Sequence, residues 1–214
     1  MYRSQIDELI ENYYLIKHRF IQSLIEEESD IRIVYCAVAV CYILQDWSSV
    51  NRDTIIAHIK SCQNYENAFG QTIGAEAHAG STFCAIASLE LMGQLNDVYD
   101  QRKRQLIAEW CLHRQVTGFQ GRPHKDPDTC YSFWVGATLT MLNSFQFIDD
   151  QLHSEFLSTT FDYDGGGFGK YPDTSSGNFF TIYHHQLNIE ITLYSFHRCF
   201  TYIFWTGCII TTSL

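Results

Sequence analysis

Four phenylalanines, Phe20, Phe69, Phe119 and Phe168, recur along this chain at an interval of about fifty residues. A period of that length marks stacked supersecondary units, so it limits the fold more tightly than any bulk property. Each phenylalanine is followed by a polar loop and then an apolar segment in matching frame: Tyr35-Cys36-Ala37, Phe83-Cys84-Ala85 and Phe133-Trp134-Val135. A fourth copy should continue at Ile182-Tyr183-His184, and there the pattern fails. Within a copy the first helix, such as Val34 to Leu44 or Phe133 to Leu142, is apolar nearly all round and must be buried on several sides. The second is amphipathic: Ile55, Ile56 and Ile59 share a face against Arg52, Asp53 and Lys60. Leu106, Ile107, Trp110 and Cys111 repeat that scheme, and Asp149 to Phe161 repeats it more weakly. Stacked helical hairpins of this kind put the apolar helices inside and the amphipathic ones outside. The loops before the inner helices then gather at one rim.

Composition agrees with an all-α globular chain. The 214 residues are 46% hydrophobic and 15% aromatic, with three prolines among 13 glycines. A net charge of −10 excludes a general nucleic-acid binder, which needs a basic stripe. Eight cysteines without a Cys-x-x-Cys pair, and acids and polar residues throughout Met1 to Leu15 in place of a secretory leader, predict reduced thiols in a cytoplasmic protein.

The most chemically loaded stretch is the third loop, Gly118 to Trp134. Asp128 and Cys130 sit two apart, so in an extended segment both side chains point to one side and could grip a metal ion. Arg122 and Lys125 could hold an anion beside it. The competing interpretation is a solvated turn, with Asp128 as a helix N-cap and Cys130 as a small core residue. Aligning the copies matches Asp128 to His78 and Asp30, and Cys130 to Gly80 and Arg32. That register predicts His78, Arg32, Arg122 and Lys125 around the same cavity as Asp128 and Cys130. Cations beside apolar walls suit a phosphate group carrying a hydrocarbon tail.

On these residues the chain resembles the β subunits of protein prenyltransferases, above all the type I geranylgeranyltransferases. The motifs are Asp30-Ile-Arg-Ile-Val-Tyr-Cys-Ala37, Ala75-Glu-Ala-His-Ala-Gly-Ser-Thr-Phe-Cys-Ala-Ile-Ala87 and Gly121-Arg-Pro-His-Lys-Asp-Pro-Asp-Thr-Cys-Tyr-Ser-Phe-Trp-Val-Gly-Ala137. Gly165-Gly-Gly-Phe-Gly-Lys-Tyr-Pro-Asp173 resembles the start of the next loop. The resemblance implies an α/α toroid, here incomplete at about four of six repeats, paired with a helical α subunit. It implies transfer of a geranylgeranyl group from geranylgeranyl diphosphate to the cysteine of CaaX-ending proteins such as small GTPases. It also implies Zn2+ held by Asp128, Cys130 and a histidine of the fourth loop. Diphosphate contacts fall on His78, Arg122, Lys125 and Tyr131, and Trp134 lines the prenyl path. Lys170 supplies the charge that magnesium provides in the farnesyl enzymes.

The sequence also departs from that family. The family's spacing puts the third zinc ligand at Phe180, whose ring cannot ligate; His184, one helical turn on, is a weak substitute. The resulting division is a non-family N-terminal helix over 1–19, the repeat domain over 20–185 and a divergent hydrophobic tail over 186–214. The tail carries no charge after Arg198, yet is too short and too rich in Thr, Ser and Gly for stable membrane insertion. The alternative to an active β subunit is therefore a non-catalytic isoform or fragment that retains at most α-subunit or isoprenoid binding.

Overall fold

The computed structural model describes residues 30–48, 50–163, 167–172 and 174. The expectations for residues 1–19, Phe20, Phe180, His184 and the 186–214 tail lie outside the described residues. Among the described residues seven helices follow in order: α1 (Ile31–Leu44), α2 (Arg52–Cys62), α3 (Ala79–Leu91), the single turn α4 (Leu95–Val98), α5 (Gln101–Leu112), α6 (Thr129–Met141) and α7 (Asp150–Thr160). A 3-10 turn at Phe145–Phe147 precedes α7, and a two-residue ladder pairs β1 (Phe161–Asp162) with β2 (Gly167–Phe168), antiparallel.

The inner layer is α1, α3 and α6, with α3 packed between the other two. Every residue of α3 from Ser81 to Leu89 is buried, as an all-round apolar sequence demands. Helices α2, α5 and α7 bury one stripe each: Ile55 and Ile59; Ile107, Ala108, Trp110 and Cys111; Phe156 and Leu157. Ile56 is only half-buried, at the edge of its stripe. Phe83 is central to the core, with Tyr35, Phe133 and Trp134 at ring-centroid distances of 5.3, 5.5 and 4.8 Å. Aromatic pairs in edge-on or tilted geometry add about 0.5–1.5 kcal/mol each beyond the area they bury.

Both ends of the inner helices repeat with the sequence period. Asp30, His78 and Asp128 are the N-caps, each accepting from the backbone N–H two residues on. Gln45, Gly93 and Asn143 take left-handed backbone at φ 52°, 68° and 53° and stop the helices. The next N–H in each copy closes the turn: Asp46 to the Cys41 carbonyl at 3.1 Å, Gln94 to Leu89 at 2.8 Å and Ser144 to Leu139 at 2.8 Å. Phe69 and Phe119 are fully buried, and their carbonyls accept from the N–H of His78 at 3.0 Å and Asp128 at 3.1 Å. The periodic phenylalanine thus anchors the cap that follows it.

Neighbouring copies are tied together at the caps. The first N–H of each inner helix has no partner within its own helix. Here it donates to the next copy's loop: Ile31 to the Gln71 carbonyl at 2.9 Å, Ala79 to Gly121 at 2.8 Å and Thr129 to Lys170 at 3.2 Å. All three acceptors lie two residues after a periodic phenylalanine, so the same bond recurs in register. It holds the three caps and their loops along one rim.

Candidate functional site

At the third cap the Asp128 carboxylate is nearly buried. Its Oδ1 accepts the Cys130 N–H at 2.9 Å, while Oδ2 lies 3.5 Å from Lys170 Nζ. The capping and metal interpretations of Asp128 therefore do not exclude each other, because the cap uses one oxygen and leaves the second facing the rim. Burial, and then the neighbouring Asp128 carboxylate, push the Cys130 thiol well above its usual range. A carboxylate and a thiol two residues apart at the start of one helix fit two ligands of a zinc site; a metal would displace the thiol proton. Among the described residues no third histidine, cysteine, aspartate or glutamate joins them.

Lys170 is placed by Thr129. The buried Thr129 hydroxyl donates to the Gly169 carbonyl at 2.8 Å and approaches the Lys170 carbonyl at 3.3 Å, alongside the Thr129 N–H bond. The same position in the other copies is Ile31 or Ala79, which offer only the backbone bond. The role of Thr129 is not local to its own stretch of sequence, because its partners come from a loop forty residues away; its hydroxyl at a position otherwise apolar is the one signal the sequence carries.

The second cap is His78. Its Nδ1 accepts the Gly80 N–H at 3.0 Å, and its Nε2 lies 3.2 Å from Tyr131 Oη. Burial and the nearby Arg122 lower its pKa to about 4, with Glu76 opposing and Arg32 adding to the effect. Tyr131 lies over Gly121, where any Cβ would overlap its ring, so the glycine is a condition for the tyrosine's position. Burial also pushes the Tyr131 phenol up. Arg122 reaches across from its own loop to Glu76 at 3.0 Å. That pair is exposed and worth only about 0–1 kcal/mol, so an incoming anion could displace Glu76 readily. Lys125 is exposed on the same loop, on a turn closed by the Gln120 side chain donating to its carbonyl at 2.5 Å.

The first cap carries its own counter-cation. Arg32 makes a fork to Asp30, with Nε at 3.1 Å from Oδ1 and 3.0 Å from Oδ2 and Nη2 at 2.6 Å from Oδ2, and Gln71 adds a bond at 2.7 Å. Burial opposes ionisation of Asp30, but these bonds hold its carboxyl below the usual range. Arg32 is thus committed to Asp30, and reaches the second cap through its field alone. Trp134 and Phe133, in contact at 4.9 Å, are half-buried on α6. An apolar cavity of about 580 Å³ opens elsewhere, between Pro127, Phe156 and Tyr171, and none of the predicted site residues lines it.

Residues 1–189 match the prenyltransferase alpha-alpha toroid domain. The chain belongs to the prenyltransferase family. Over 143 residues it is 48% identical to the geranylgeranyl transferase type-1 subunit beta of Dictyostelium discoideum, covering 67% of this chain and 40% of that protein. It is 43% identical over 155 residues to the Arabidopsis thaliana type-1 subunit beta, covering 68% and 41%. The fold is similar to that of Candida albicans protein geranylgeranyltransferase-I complexed with GGPP, with TM-score 0.62, 30% identity and coverage of 68% of this chain and 44% of that one. The chain thus spans about two-fifths of the length of these curated relatives. The stacked helical hairpins expected from the phenylalanine period, and the α/α toroid class that the resemblance implied, are the fold found. Among the described residues no helix is long and apolar enough to cross a membrane.

Proposed function

We propose that this prenyltransferase β subunit is of the type I geranylgeranyl class and acts with a helical α subunit in the cytoplasm. Geranylgeranyl diphosphate binds with its diphosphate against Arg122, Lys125 and the His78–Tyr131 pair and its chain along Trp134. The acceptor is the cysteine of a CaaX-ending protein. The observation that carries this reading is the rim register: His78, Asp128 with Cys130, and Lys170 are brought to one edge by the same repeating cap and inter-copy bond.

The chain's residues divide the work. As the C1–O bond breaks, negative charge collects on the departing diphosphate, and Arg122 and Lys125 would neutralise it. Arg122 exchanges Glu76 for phosphate oxygens at little cost, since its present pair is exposed. Lys170 brings a further cation to the same edge and already neighbours Asp128. Asp128 and Cys130 would hold zinc, which when bound keeps a substrate cysteine as its thiolate at neutral pH. A second reading, a non-catalytic chain that retains α-subunit or isoprenoid binding, is favoured by Phe180 at the position expected for the third ligand.

Co-expression with a prenyltransferase α subunit separates the two. The first reading predicts bound zinc and transfer of a geranylgeranyl group to a peptide ending in Cys-a-a-Leu. Zinc below about a tenth of an equivalent per chain, together with no transfer, would leave only the second.

A further inference from the structure

The three inner helices are capped alike, but the middle cap differs in chemistry. Asp30 and Asp128 each bring a carboxylate and pair it with a cation of this chain, Arg32 at 2.6 Å and Lys170 at 3.5 Å. His78 caps with a ring nitrogen instead. Its Nδ1 accepts the Gly80 N–H at 3.0 Å, and an imidazole nitrogen that accepts carries no proton. In the neutral ring the proton must then sit on Nε2, which lies 3.2 Å from Tyr131 Oη, with the two rings edge-on at 5.7 Å.

We propose that His78 serves the rim as a neutral Nε2–H donor, locked in that tautomer by its capping bond, and that it positions Tyr131 by donating to the phenol oxygen. With its oxygen satisfied from the histidine side, the Tyr131 hydroxyl hydrogen is left to point at an anion in the rim. An imidazolium could not do this and keep the cap, because both its nitrogens donate and Nδ1–H would face the Gly80 N–H. The charged and titratable groups around the ring act the same way on balance. Arg122 from the next loop and Arg32 from α1 oppose a positive ring, Glu76 on its own loop favours one, and Tyr131 on α6 is neutral. Diphosphate charge is then met by Arg122 and Lys125, and His78 contributes direction. The proposal rests on the diphosphate reading only for the identity of that anion.

Two measurements on the full chain test it. Long-range proton–nitrogen spectra of histidine-labelled protein, with His78 assigned through the His78→Asn variant or through the change caused by Tyr131→Phe, should show the Nε2–H tautomer at pH 7.5 and again at pH 5.5. Tyr131→Phe should move the Nε2 resonance without changing the tautomer. An Nδ1–H ring, or an imidazolium by pH 5.5, overturns the proposal. Calorimetry with inorganic pyrophosphate is the second measurement. His78→Asn, which still caps a helix, and Tyr131→Phe should each weaken binding about tenfold, the worth of one hydrogen bond to a charged group. The double variant should lose no more than either single one, because both break the same chain of bonds. Full affinity in His78→Asn would reduce the histidine to a cap and overturn the positioning role. Absence of pyrophosphate binding by the unaltered chain would count against the diphosphate reading, while the tautomer spectra still decide the proposal.

Discussion

Asp128 spends its two oxygens on different partners, Oδ1 on the Cys130 N–H and Oδ2 on the Lys170 side. Substitutions can therefore separate its structural and chemical duties. Asp128→Asn keeps an N-cap acceptor and should hold the melting temperature within a few degrees, while any zinc affinity falls with the lost carboxylate. Asp128→Ala should lose zinc affinity and also about 1 kcal/mol of stability with the cap. Equal melting of the two variants would mean that the capping bond contributes nothing. His78 gives a second residue-scale test, through pH. Its folded pKa, about 4, lies below the ordinary 6.5, so the unfolded chain takes up the proton first as pH falls. The stabilisation from a neutral His78 is complete above pH 6.5 and drains away as pH drops towards 4, by about 1–3 kcal/mol. His78→Asn should flatten that limb of a denaturation-versus-pH curve. A limb that survives the substitution would assign the titration elsewhere.

At the scale of elements, the repeat's punctuation was legible and its cross-links were not. The phenylalanine period, the capping residues and the apolar frame all lie within one copy, so the alignment of Asp30, His78 and Asp128 could be read directly and recurs as three equivalent caps. The Gln71 bond to Asp30, the Arg122–Glu76 pair and the hold of Thr129 on Lys170 depend on which loops meet across copies. No local periodicity encodes such meetings. Two variants probe these elements. Gly93→Ala puts a Cβ into a left-handed position and should cost about 1 kcal/mol, seen as a lower denaturation midpoint. Thr129→Val keeps the shape and the backbone bond but removes the hydroxyl. It should cost about 1–2 kcal/mol and raise amide exchange at Gly169 and in the β1–β2 ladder. Unchanged exchange there would show that the backbone bond alone holds the loop.

For the molecule as a whole, α3 packs between α1 and α6, and Phe83 on α3 touches aromatic rings from both. Phe83→Ala should therefore loosen the rim as well as the core, with a loss of about 3–5 kcal/mol in chemical denaturation. The rim concentrates cations in a chain of net charge −10, and only Arg32 among them is fully committed to a carboxylate of its own copy. Arg122 and Lys125 are the cations most available to a bound anion, which makes them the decisive pair. The direct measurement is equilibrium binding of geranylgeranyl diphosphate to this chain co-purified with a prenyltransferase α subunit, beside the Arg122→Ala, Lys125→Ala double variant. The account predicts binding that inorganic pyrophosphate competes away and that the double variant weakens about a hundredfold, the loss of two charge-assisted contacts. Undetectable binding by the unaltered chain, or equal binding by the variant, would contradict it.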